Sequence, residues 1–258
     1  GYDTSLIQPQ LEIVRSKEIL MRSCSGLLRV LLKWFKLNHV LKFEHLASLI
    51  YDFRYITTCS SILGKYADTY CDKVLNNMIE PDRNIWKECS QSNSVYLKSF
   101  SEEKRKYNVV ILSSFAYLLR ILRAITGNKT HRLKSLPLSI GLLFKRYYKL
   151  FCLDVYHPIL RIVRELTPFK NKRWKSEHMD LISGVYLYEK LELIDNWVTG
   201  KDIAGELNDA SGQEIALRAL LQFYNFTHYK HSMEELGYSE KSMSNVDITA
   251  MEGNYSSM

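Results

Sequence analysis

Chain breakers are scarce: the 258 residues contain 5 Pro and 11 Gly. So few turn formers exclude an architecture of many short, tightly turned strands and favour long helices. Cysteine is limited to Cys24, Cys59, Cys71, Cys89 and Cys152, an odd number with no C-x-x-C pair. Neither a disulfide framework nor a zinc site is indicated, and buried reduced thiols are the expectation. No apolar run approaches the ~18 residues of a membrane span. The longest, Val109 to Leu119, is interrupted by Ser113 and Ser114. No secretory leader is visible, and the opening Gly1-Tyr2-Asp3-Thr4 reads as an excised fragment.

Catalytic signatures are missing as well. There is no G-x-S-x-G and no H-E-x-x-H. Gly127-Asn128-Lys129-Thr130 ends like a phosphate-binding loop but lacks the upstream glycine and follows a helical pattern, not a strand. His39 and His45 have only Glu44 nearby, which suits a capping or half-buried pair better than a metal site. His157-Pro158 sits at a helix start, where capping is expected. The carboxylates between 189 and 214 alternate with polar residues and read as hydrated surface. A non-enzymatic chain without catalytic residues is the expectation.

What is abundant is hydrophobic residue, 46%, recurring at the three- and four-residue spacing of a helix. Pro9 opens a first helix that carries Leu11, Val14, Leu20, Leu28, Leu32 and Phe35. Ser25-Gly26 should divide or bend it. Asn38-His39 is a turn, Phe43–Ile50 a short helix, and two more follow at about 55–65 and 67–79. A polar loop occupies about 80–105. The most apolar helix runs from Tyr107 to Thr126 and is closed by Gly127-Asn128. Pro137 begins another that reaches Leu153, and Asp154 N-caps a third through Leu166. Trp174–Leu193 forms one helix, 195–212 is irregular, and Gln213–His228 is the last helix. The fold class is all-α, an irregular armadillo- or HEAT-like α-solenoid of about ten helices over 1–235, with a polar tail at 236–258.

Net charge is +7, unevenly spread. Residues 129–175 hold twelve bases against two acids, a balance of +10, whereas residues from Glu189 onward hold five bases against twelve acids. The basic segment is the candidate anion site: Lys145, Arg146 and Lys149 share one helix face, Arg161 and Arg164 lie on the next helix, and Lys170, Lys172, Arg173 and Lys175 follow in a turn. An acidic protein surface would satisfy the same charges. No nucleic-acid motif accompanies them. Trp174 and Trp197 sit among polar residues, as packing groups or as partner anchors.

Several stretches together resemble one family. Lys172-Arg173-Trp174-Lys175 with Met179 is similar to a basic-Trp-basic-x-x-x-Met stretch of the striatin-interacting proteins, the factor-arrest scaffold family of yeasts. Asp195-Asn196-Trp197 with Gly200 and Asp202 resembles their D-x-W-x-x-G-x-D. Glu214 with Ala216-Leu217-Arg218-Ala219, followed by Asn225 and Tyr229, resembles their E-x-A-L-R-A helix and its ending. Phe35-Lys36-Leu37-Asn38-His39-Val40 with Phe43-Glu44, and Lys134-Ser135-Leu136-Pro137, fall in the family's order. The resemblance implies a C-terminal armadillo-like domain of a scaffold subunit. Its partners would be protein phosphatase 2A subunits, striatin-like coiled-coil proteins and germinal-centre-type kinases, at the cytoplasm and endomembranes such as the endoplasmic reticulum. It implies partner contacts at Trp174, Trp197, Asp202 and Arg218, and an inositol polyphosphate as structural cofactor near the basic cluster.

Overall fold

The structure is a computed structural model that describes residues 7–68, 109–150, 152–189, 197–198 and 203–237. Among these residues there are ten α-helices, one 3-10 turn and no strand. The all-α expectation holds. All but the first two residues of the expected helix near 67–79, the 80–105 loop and all but the first two residues of the 236–258 tail lie outside the described residues. The chain divides into two compact units, Gly1–Ala210 and Ser211–Met258.

Helix α1 is Ile7–Asn38, 32 residues without a break. The expected interruption at Ser25-Gly26 does not occur. Ser25 turns its hydroxyl back onto the Met21 carbonyl at 2.6 Å, so it needs no partner outside the helix. Gly26 is an approach point: a Cβ there would meet the Tyr117 ring at 3.4 Å. The inward face carries Ser25 and Leu32, with Met21, Leu28 and Phe35 packed against the core. His39 then leaves the helical region and accepts a bond from Leu41 N through Nδ1, capping α2, Val40–Asp52. Arg54, with φ 56°, makes the corner into α3, Tyr55–Tyr66.

Helix α4, Val109–Thr126, is the centre of the first unit. Ile111, Phe115, Leu119, Leu122 and Ile125 are all buried. It packs against α1, α2 and α3 on one side. It ends at Gly127, after which Asn128 adopts φ 56°, one of the few side chains that tolerate the left-handed region. Tyr55 Oη donates to the Leu118 carbonyl at 3.0 Å, fixing α3 against α4.

Helix α5, Thr130–Lys134, is too short to show a period. Its Arg132 is fully buried: Nη2 donates to Ser48 Oγ at 2.9 Å and the guanidinium lies 5.1 Å from the Tyr51 ring centroid. Helix α6 is Ile140–Tyr148. It begins three residues after Pro137, whose carbonyl accepts from Ile140 N in a turn. Helix α7, Leu153–Leu166, packs on α4, and its N-cap is Cys152. Asp154 does not cap; it lies in the first turn and pairs with Arg120 of α4. The 3-10 turn Thr167–Phe169 closes α7.

The expected single helix from Trp174 is two: α8, Lys172–Glu177, and α9, Met179–Tyr188, separated at His178 with φ −117° and ψ 29°. The His178 ring stacks on Trp174 and Nδ1 reaches the Trp174 carbonyl at 2.9 Å, a local arrangement that replaces the helical turn. Helix α9 packs on α7 and α6. Helix α10, Ile203–Glu235, starts ten residues before the expected position, so 203–212 is not irregular. Ile203 and Leu207 are half-buried and Ala210 is buried, a 4-3 spacing that a helix satisfies despite the weak propensity of Asn208 and Asp209. In the second unit α10 is kinked at Tyr229, with φ −129° and ψ 27°. No helix among the described residues is long and apolar enough to cross a membrane.

Candidate functional site

An open cleft of about 670 Å³ lies where the end of α4, the middle of α7, the end of α9 and the 197–198 turn converge. Its polar lining is Arg123, Asn128, His157, Arg161, Arg164, Glu165 and Glu189, with the rings of Tyr188 and Trp197. Helix α7 presents His157, Arg161 and Arg164 together because they are spaced four and three residues apart.

Two carboxylates organise these side chains. Glu165 Oε2 accepts from the Asn128 backbone N–H at 2.8 Å, and Oε1 stands 3.6 Å from Arg123 Nη2. The left-handed turn at Asn128 is what aims that N–H at α7. Glu189, whose side chain is only 8% exposed, lies 2.7 Å from His157 Nδ1 and accepts from Arg161 Nε at 3.4 Å. His157 is therefore not a cap; it sits inside α7 facing a buried acid. Nor is Glu189 hydrated surface, and Glu214 is buried too. Removing a carboxylate from water this far is tolerable when cations face it.

Three arginines against two glutamates leave the lining with surplus positive charge. Buried nitrogens at Arg123 Nε and Trp197 Nε1 have no hydrogen-bond partner. Such a lining suits a carboxylate or phosphate oxygen. Among the described residues that line it, the Tyr188 phenol is the one hydroxyl. Among the described residues no group of His, Cys, Asp and Glu side chains is arranged to hold a metal ion.

The other sequence-selected cations are dispersed. Lys145 pairs with Asp180 at 3.2 Å and donates to the Glu177 carbonyl, whereas its neighbour Arg146 turns to Asp68 at 2.7 Å and the Ala67 carbonyl. Lys149 and Lys172 are exposed. Arg173 pairs with Glu177 four residues on, which holds the arginine above and the glutamate below their ordinary values. Lys175 donates to the Val198 carbonyl at 2.8 Å, tying α8 to the turn that carries Trp197. Lys170 is half-buried, and desolvation lowers its pKa. Of the basic residues selected from the sequence, Arg161 and Arg164 line the cleft. Arg123 and His157 were not singled out as anion ligands, because nothing in their local sequence distinguishes them.

The partner-contact candidates also separate. Trp197 is 7% exposed and belongs to the buried core, its ring 5.3 Å from that of Tyr186. Trp174 is half-buried beneath His178. Arg218 pairs with the buried Glu214 within α10 at 3.1 Å. Asp202 lies outside the described residues.

Comparison with known proteins adds the following. The family model described as Domain of unknown function (DUF3402) matches residues 2–109 and 99–252. Factor arrest protein 11 of Saccharomyces cerevisiae is 65% identical over 252 residues, 97% of this chain and 26% of that protein. Striatin-interacting protein 1 of Homo sapiens is 26% identical over 228 residues, 85% of this chain and 26% of that protein. Factor arrest protein 11 of Schizosaccharomyces pombe is 26% identical over 249 residues, 86% of this chain. The chain spans about a quarter of the length of these curated relatives. No solved structure matches it.

Proposed function

The chain belongs to the family described as Domain of unknown function (DUF3402), and from that premise we propose that it is the helical part of a non-catalytic scaffold subunit in a striatin-containing phosphatase–kinase assembly. In this reading it docks protein phosphatase 2A subunits and striatin-like coiled-coil proteins, and brings germinal-centre-type kinases within reach of them. Raising the local concentration of catalyst and substrate needs no reacting group on the scaffold. Growth-control and pheromone-arrest signalling, at the cytoplasmic side of endomembranes such as the endoplasmic reticulum, is the setting it would serve. What carries the reading is that similarity to proteins named factor arrest and striatin-interacting runs through 85% or more of the chain. It is not confined to one short motif.

The test is a binding measurement with purified phosphatase 2A scaffold subunit and a striatin-type coiled coil. Association at micromolar concentration or tighter, weakened by Arg218→Glu with the helical spectrum intact, is the expected result. No association at about 10 µM, roughly −7 kcal/mol, would remove the reading.

The cleft favours a second, compatible reading: a polyanion site that takes an inositol polyphosphate as internal glue, or an acidic membrane surface. Arg123, Arg161 and Arg164 around one opening are the supporting observation. Calorimetry with inositol hexakisphosphate tests it. Loss of binding in Arg161→Glu/Arg164→Glu, with Lys145→Glu/Arg146→Glu retaining it, is expected if the cleft is the site. Heat that vanishes only in the second variant would move the site to α6.

A further inference from the structure

An arginine three residues before a hydroxyl occurs six times in the chain: Arg22–Ser25, Arg54–Thr57, Arg123–Thr126, Arg132–Ser135, Arg164–Thr167 and Arg173–Ser176. Basophilic serine/threonine kinases read that spacing, because acidic groups in their cleft pair with a cation placed there on the substrate. The fold removes four of the six. Ser25, Thr126 and Thr167 are buried, and their hydroxyls donate to the carbonyls of Met21, Leu122 and Val163 at 2.6, 2.8 and 2.6 Å. At Ser135 the hydroxyl is exposed, but its arginine, Arg132, is fully buried and bonded to Ser48.

Arg54–Thr57 and Arg173–Ser176 keep both groups exposed. At Thr57 the residues in between are fixed. Ile56 is buried in the core, and Tyr55 Oη donates to the Leu118 carbonyl, so drawing this stretch into another protein's cleft would tear α3 from α4. Ser176 is placed differently. It lies in α8, a six-residue helix with no buried residue, which starts after the extended Asn171 and stops at the non-helical His178. Unwinding α8 gives up the Asn171 cap on Trp174 N, the Lys175 bond to the Val198 carbonyl, the Lys145 bond to the Glu177 carbonyl and the exposed Arg173–Glu177 pair. Trp174 is half-buried and is the one large apolar side chain it would draw from the core. Segments with so little buried surface open at low cost. Lys172 and Lys175 add two further bases on the approach to the hydroxyl.

We propose that Ser176 is a phosphorylation site for a basophilic serine kinase. Ser176 Oγ attacks the γ-phosphorus of ATP. The bond from that phosphorus to the bridging oxygen of the β-phosphate breaks, ADP leaves with the bonding pair, and the hydroxyl proton passes to the kinase's catalytic carboxylate. The product carries roughly −1.5 to −2 charge near neutral pH. Lys172 and Arg173 stand four and three residues before it, on its own side of α8, where they can hold the phosphate. Arg173 now pairs with the single charge of Glu177, and a doubly charged phosphate competes for it strongly. Residues 170–177 hold Lys170, Lys172, Arg173 and Lys175 against Glu177, a balance of 4 − 1 = +3. Phosphorylation lowers that to about +1 and weakens the hold of this stretch on an acidic surface. The inference does not depend on the scaffold reading.

The probe is ATP with a calmodulin-dependent protein kinase, a basophilic enzyme, added to the full chain, and the modified positions are mapped by mass spectrometry against time. Synthetic peptides spanning the six matches, treated in parallel, report what the local sequence allows without the fold. In the folded chain Ser176 should be phosphorylated at least about tenfold faster than any of the other five hydroxyls, each rate divided by that of its peptide. Arg173→Gln, with the helical spectrum unchanged, should slow the reaction at Ser176 by about tenfold or more. Ser176→Ala should leave the folded chain almost unlabelled at the six positions. Ser176 unmodified in the folded chain, a rate indifferent to Arg173→Gln, or labelling of Thr57 or a buried hydroxyl as fast as Ser176 overturns the proposal.

Discussion

A Cβ on Gly141 would lie 2.7 Å from Cδ2 of His178 and overlap the rest of that ring. Helix α6 and the α8–α9 corner can therefore approach only because residue 141 lacks a side chain. The His178 ring is itself held in place by its stack on Trp174, 4.4 Å between centroids. Gly141→Ala should destabilise the first unit by about 1–3 kcal/mol, the usual cost of overpacking. Adding His178→Ala should recover much of that loss, because it removes the atoms the new methyl would strike. Chemical denaturation of the single and double variants measures both.

Arg132 is expected to be a structural cation. Its guanidinium donates to Ser48 Oγ and to the Ile125 carbonyl at 3.3 Å, joining α2, α4 and α5 in a place without solvent. Arg132→Ala should cost about 2–4 kcal/mol, from the cavity and the acceptors left unpaired. Arg132→Met, which refills the volume, should cost less. Thermal unfolding ranks the two.

Acid should weaken the fold partly through His45. Burial pushes its pKa below the usual 6.5, so the folded chain binds fewer protons there than the unfolded chain. The sign follows: stability is unaffected by this residue well above pH 6.5 and falls as pH drops below that value, levelling off only beneath the folded-state pKa. His45→Gln should flatten the stability profile just below pH 6.5. Unchanged slopes in that window would show that other groups carry the acid sensitivity.

The thiols should differ sharply in reactivity. Cys59 is fully buried in α3 and burial pushes its pKa to about 12, whereas Cys24 is exposed on α1. At neutral pH, alkylation of Cys24 should proceed at least about tenfold faster than that of Cys59, which must wait for local unfolding. Mass spectrometry against time distinguishes the two.

Within the cleft, Glu189→Gln should strengthen polyanion binding. It removes a buried negative charge that now engages His157 and Arg161. A gain of roughly tenfold, about 1.4 kcal/mol, is the expected size, read by calorimetry at low salt. Weaker binding would mean that Glu189 is needed to hold those side chains in position.

Much of the helical order was legible because a three- to four-residue apolar spacing reports directly on which side of a helix is buried. Phe43, Ala47 and Ile50, and then Ile111, Phe115, Leu119 and Leu122, announce α2 and α4 in this way. The misread places share a cause. Ser25-Gly26 and 203–212 contain residues of weak helix propensity, which is a weak guide; at Ser25-Gly26 it yields where packing on Tyr117 covers the inward face. Helix α5 offers five residues and no period. The break at His178 is made by a ring stack that no propensity scale contains.

The candidate site was less legible. Arg161 and Arg164 share a face by spacing alone, but Arg123, Asn128, Glu189 and Trp197 come from three other places in the chain. Lys145 and Arg146 looked like one patch because they are neighbours, yet adjacent residues on a helix point about 100° apart and found different acids.

Composition, apolar period and motif order by themselves determined that this chain is all-α and which family it resembles, because those properties are local and survive without coordinates. Only the tertiary structure decided which charges meet. An ion pair such as Arg120 with Asp154, or His157 with Glu189, depends on how distant helices cross, and the Coulomb energy that makes it matter exists only once packing has brought the groups together and excluded water.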